Sequence, residues 1–84
     1  MRYTIIIERA ARKNLEKIGS PFFEAIDKKI LALENNPRPQ GCRKLKGRDA
    51  WRLRVGDYRI IYKIKDDILQ ILIIEIDDRK QVYR

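Results

Sequence analysis

The sequence predicts an α+β domain of order β-α-α-β-β-β, with an N-terminal helix hairpin packed on one face of a mainly antiparallel four-stranded sheet. Apolar residues recur at helical spacing only in the first half of the chain. Strict alternation of apolar and charged residues occupies 51–64, and a nearly continuous apolar run fills 68–76. Helices segregated from hairpin-connected strands are the pattern of a two-layer α+β unit.

Arg2 to Ile7 reads as a strand, because Ile5, Ile6 and Ile7 are β-branched and follow Tyr3 and Thr4. Glu8 to Ile18 places Ala11, Leu15 and Ile18 on one helical face, and Gly19 suits a left-handed position ending that helix. Ser20-Pro21 then reads as a helix start. The hydroxyl can accept an orphan amide, and proline has no amide to waste at the first position. Phe22, Ile26, Ile30 and Leu33 continue the helical face until Asn35-Asn36-Pro37-Arg38-Pro39 stops it. Gln40 to Asp49 is a basic loop in which Leu45 is the expected anchor to the core. Trp51, Leu53 and Val55 alternate with Arg52 and Arg54 to give the second strand. Tyr58, Ile60, Tyr62 and Ile64 alternate with Arg59 and Lys63 to give the third. Asp66-Asp67 make the next turn, and Ile68 to Ile76 is apolar enough to be an interior strand. Asp77 to Arg84 is a polar tail.

Eighty-four residues suffice for one small core, so 1–84 is read as a single domain. A composition of 44% hydrophobic and 38% charged residues describes a folded protein. One cysteine and no histidine rule out an internal disulfide and the common zinc sites, so no metal and no cofactor are expected. The apolar run near Met1 is too short for a signal-peptide core or a membrane span, which predicts a cytoplasmic protein with no membrane partner.

Charge is concentrated. Between Arg38 and Lys65 stand ten Lys or Arg against Asp49 and Asp57, a net +8, which is the whole formal charge of the chain. Excess confined to 28 consecutive residues is one electrostatic footprint for phosphates or an acidic protein. If Gly56-Asp57 is a two-residue hairpin loop, Arg54 stands directly opposite Arg59 and Arg52 opposite Ile61. Like charges so placed are destabilising unless an anion sits between them. Trp51, Tyr58 and Tyr62 fall on the helix-facing side and are read as core. Arg52, Arg54, Arg59, Ile61 and Lys63 share the other face, with Gln70, Leu72 and Ile74 beside them. That combination of basic rim and apolar floor suits phosphates and bases together.

These elements, the Lys44-Leu-Lys-Gly47 segment, the Trp51 to Tyr62 hairpin and the closing Asp78-Arg-Lys-Gln-Val-Tyr-Arg84 resemble the RelE branch of the RelE/ParE toxin superfamily. The resemblance implies a toxin of a type II toxin-antitoxin system that cleaves messenger RNA in the ribosomal decoding site and is neutralised by a cognate acidic antitoxin. Its partners are then antitoxin, messenger RNA and the ribosome with its ribosomal RNA. Transferred by position, the family's basic active-site residues fall on Arg52, Arg54 and Arg59. Arg79 falls on a further phosphate contact and Tyr83 on the C-terminal aromatic. Arg43, Lys44, Lys46, Arg48, Lys63 and Lys80 are the expected RNA-binding cations, with Lys44 and Lys46 supplying steering charge. Where many relatives carry histidine before the terminal Arg-Lys, this chain has Asp78. Arginine is a strong charge clamp and a poor proton donor, so catalysis is expected to rest on phosphate stabilisation without metal. Tyr83 is the first candidate base, since surrounding positive charge favours a phenolate. Two alternatives stay open: a ParE-like inhibitor of DNA gyrase, and a degenerate member that binds antitoxin only.

Overall fold

The computed structural model describes residues 2–78. Five strands and two helices follow in the order β1 (Thr4–Ile7), α1 (Arg9–Lys17), α2 (Phe22–Ala32), β2 (Arg43–Lys44), β3 (Trp51–Val55), β4 (Tyr58–Lys65) and β5 (Gln70–Asp78). The sheet order is β1-β5-β4-β3-β2. Every pairing is antiparallel except β1 with β5, which is parallel. The α+β class is as expected, but the sheet has five strands rather than four. The extra one, β2, lies in the presumed loop, where Arg43 pairs with Arg52 and Lys44 with Trp51. A two-residue edge strand has too little pattern to be seen in sequence.

Ala11 and Leu15 bury the inner stripe of α1, and Ile26, Ile30 and Leu33 that of α2 and its end. They meet Leu53, Val55, Ile60, Tyr62, Ile71, Ile73 and Ile76 in one core. Full burial of an Ile or Leu side chain contributes about 1.5–3 kcal/mol, so this layer holds the sheet flat against the helices. Trp51 and Tyr58 are partly buried against the same core, as expected. Phe22 departs from its stripe: it is 43% exposed and leans on Tyr58 at a centroid distance of 5.4 Å.

Helix ends differ from expectation. α1 stops at Lys17, with the Ile18 amide bonded to Leu15 O at 3.1 Å, and Gly19 does not take a positive φ. Ser20 caps no amide. Its hydroxyl donates to the Glu24 carboxylate at 2.6 Å, one turn into α2. The Asp66-Asp67 turn is also longer than predicted. Ile68 and Leu69 belong to it, Ile68 being 54% exposed and Leu69 having φ +52. Leu45 is only half-buried; Ala50, whose carbonyl accepts the Leu45 amide at 2.9 Å, is the fully buried residue of that loop.

Candidate phosphate-binding face

The hairpin forms as the sequence predicts. Gly56 takes φ +60, a left-handed conformation that glycine reaches without steric cost. The register then matches Val55 with Tyr58, Arg54 with Arg59, and Arg52 with Ile61. Because cross-strand partners project to the same side of a sheet, three rows cross the face away from the helices. One runs Arg43, Arg52, Ile61, Glu75; the next runs Arg54, Arg59, Asp77; the third pairs Lys63 with Leu72. Four arginines thus occupy two adjacent rows of one open face.

Arg54 is exposed, and Arg59 is half-buried. Among the described residues neither has a carboxylate within ion-pair distance. The Arg59 Nε is buried with no hydrogen-bond partner there. A guanidinium donor removed from water and left unpaired costs about 1–3 kcal/mol or more, and a second guanidinium opposite adds repulsion. Both costs reverse when an anion binds between the pair. Arg52 is engaged in contacts of its own. Ile61 is 2% exposed although it faces away from the helices, so the row has an apolar centre.

The basic segment does not gather on this face as a whole. Arg38 lies on the helix side, with its guanidinium 5.3 Å from the Trp51 ring centre and paired with Asp66 at 2.8 Å. Tyr3 donates to the same carboxylate at 2.5 Å. The Arg38 hydrogen bond, followed by that of Tyr3, holds the Asp66 carboxyl below the usual carboxylate range. Lys44 shares the parity of Trp51, opposite to that of the arginines, and sits 3.5 Å from Asp49. It is therefore turned from the arginine rows. Lys46 is exposed in the following loop. Arg48 and Lys63 do border the open face, along a groove of about 450 Å³ floored by Leu72 and Ile74. Arg79, Lys80 and Tyr83 lie outside the described residues.

Glu75 is the feature that sequence parity misses. Tyr62 pairs with Ile73 but Ile61 pairs with Glu75, so Ile74 is an extra residue in a β-bulge. Uninterrupted alternation from Ile71 and Ile73 would send Glu75 into the core. The bulge instead buries Ile76 and brings Glu75 to the arginine face, 3.6 Å from Arg48. The signal was present in the sequence: a carboxylate at an inward parity position followed by isoleucine one residue late. Burial raises the Tyr62 phenol well above its ordinary range, with Cys42 as a smaller cause, and its hydroxyl donates to Pro37 O at 2.8 Å. That ring is structural.

Comparison with known proteins agrees with this architecture. The family described as the ParE toxin of type II toxin-antitoxin systems, parDE, matches residues 5–83. The mRNA interferase toxin RelE of Escherichia coli is 30% identical over 88 residues, covering 99% of this chain and 92% of that protein. Toxin RelG of Mycobacterium tuberculosis is 30% identical, with 100% and 99% covered. An archaeal RelE solved in complex with RelB from Pyrococcus horikoshii superposes with a TM-score of 0.84 at 28% identity, covering 94% of this chain and 97% of that one. Among the described residues no helix is long and apolar enough to cross a membrane.

Proposed function

The chain belongs to the ParE toxin family of type II toxin-antitoxin systems, within the RelE/ParE superfamily, and on that premise we propose that it is a ribosome-dependent messenger RNA endonuclease held inactive by an acidic antitoxin. One observation carries the nuclease reading: Arg54 and Arg59 oppose each other on an open face, with the buried Nε of Arg59 unpartnered among the described residues. The relatives named RelE and RelG, and the RelE-RelB complex, supply the substrate and partner classes.

In this reading the RNA cleaves itself through its 2′-hydroxyl. The oxygen attacks the adjacent phosphorus, the 5′-oxygen leaves, and negative charge on the phosphoryl oxygens peaks between these events. Arg54 and Arg59 grip those oxygens and Arg52 holds the flanking phosphate. Arginine serves this role because its fork matches phosphate geometry and stays charged. Catalysis is then charge stabilisation in a fixed site, with no metal required. Arg79 adds a phosphate contact and Tyr83 a stacking ring, while Arg43, Arg48, Lys46, Lys63 and Lys80 steer the polyanion. The antitoxin's acidic segment covers the same cations.

A second reading is favoured by the matched family, that of the ParE toxin: the chain would then inhibit DNA gyrase without cleaving RNA. Primer extension on translated messages after induction separates the two. New 5′ ends within coding regions are expected from the wild type and are lost, with toxicity, in Arg54→Ala and Arg59→Ala. Intact transcripts during growth arrest, with a DNA-damage response, would replace the nuclease by the gyrase inhibitor.

A further inference from the structure

A carboxylate among phosphate-binding arginines repels the ligand that those arginines attract, so its presence calls for a role. Two acidic residues reach this part of the sheet, Asp77 opposite Arg59 and Glu75 opposite Ile61. Asp77 accepts a hydrogen bond from Asn14 of α1 at 3.4 Å. Glu75 remains on the open face, its side chain 41% exposed, beside Arg48 at 3.6 Å and bordering the Leu72-Ile74 groove with Lys63. In register it is the diagonal neighbour of Arg59, a separation of about 7–8 Å between backbones. An arginine and a glutamate side chain together span that distance, so a phosphate held by Arg59 puts its own ribose within reach of Glu75.

An ionised carboxylate offers acceptor oxygens only. In RNA the donor nearest the scissile phosphate is the 2′-hydroxyl. We propose that Glu75, in place of Tyr83, accepts the proton of that hydroxyl and is the general base of this chain, a role that rests on the nuclease reading above. As the 2′-oxygen forms its bond to phosphorus, its proton passes to a Glu75 oxygen. The bond from phosphorus to the 5′-oxygen breaks, giving a 2′,3′-cyclic phosphate. The departing oxygen takes a proton from water, and the resulting hydroxide is neutralised by the proton on Glu75, which restores the carboxylate. Arg48 fixes the carboxylate through its ion pair at 3.6 Å. Arg52, Arg59, Lys63, Glu8 and Asp49 are the other charged groups around it. The bulge is what makes the arrangement available, since without it Glu75 would point into the core.

The test is single-turnover cleavage on programmed ribosomes by the purified full chain, alongside binding of a message carrying a 2′-deoxy nucleotide at the cleavage site. Glu75→Gln keeps size and hydrogen bonding, and is expected to slow cleavage about 100-fold or more with binding of the deoxy message unchanged or tighter. Glu75→Asp should recover part of the rate. Wild-type cleavage by Glu75→Gln, or a loss of deoxy-message binding as large as the loss of cleavage, would overturn the assignment and leave the nuclease reading standing. Absence of cleavage by the wild type would overturn that reading, and this assignment with it.

Discussion

Replacing Arg59 with methionine removes charge while keeping most of the aliphatic stem, and should stabilise the free protein. Taking about 6 Å between the two charges, slightly more than the roughly 4.5–5.5 Å between cross-strand Cβ atoms, and an effective dielectric constant of about 40–80 at this half-exposed site, the repulsion between the paired Arg54 and Arg59 is worth about 0.7–1.4 kcal/mol. Removing the buried, unpaired Nε relieves about 1 kcal/mol more. Imperfect refilling by the thioether offsets part of this, so the net gain should be about 1–2 kcal/mol. For a domain of this size that raises the thermal midpoint by at least about 4 °C. The gain should shrink in about 1 M salt, where the Debye length falls to about 3 Å and the repulsion is screened in the wild type as well. Affinity for RNA should fall about 10–100-fold in the same variant, since each hydrogen bond to a charged group is worth about 1.5–3 kcal/mol. Calorimetry at two salt concentrations and fluorescence titration with a short RNA measure both quantities. A variant less stable than the wild type by more than about 1 kcal/mol, or one with undiminished RNA affinity, would refute the anion-site argument.

Gly56→Ala forces an L side chain to φ +60, where the only described neighbour of the new Cβ is the Phe22 ring at 3.7 Å. The cost is therefore conformational, about 1–2 kcal/mol, and Gly56→Asn should lose less; denaturant midpoints of the two variants check this. Asp66 has a folded pKa below its ordinary value, so its contribution to stability is present above the unfolded pKa and is lost as pH falls through the folded one. Asp66→Asn should accordingly melt below the wild type at neutral pH, and the difference should vanish in strong acid. A constant gap across that pH series would show that the Arg38 and Tyr3 contacts do not set the carboxyl's behaviour.

By itself the sequence determined the strands, the faces and the hairpin register from residue 51 to 64. Alternation there is strict, and a two-residue loop containing glycine leaves one pairing open. Hence Arg52, Arg54 and Arg59 could be placed together before any coordinates. Helix existence was equally legible, because Ala11-Leu15 and Ile26-Ile30 repeat at one turn. The helix ends were not: Gly19 and Ser20 carry the usual end signals, yet a serine hydroxyl can satisfy a nearby carboxylate as readily as an amide. Tertiary structure alone decided three things that depend on contacts distant in sequence. It made Arg43-Lys44 an edge strand, since two residues acquire strand geometry only by pairing with β3. It divided the basic segment, drawing Arg38 to Asp66 and Trp51 and turning Lys44 from the arginine rows. Finally, it inserted Ile74 as a bulge, because burying both Ile73 and Ile76 is worth more than unbroken alternation, and that one extra residue carries Glu75 from the core side to the face where the arginines stand.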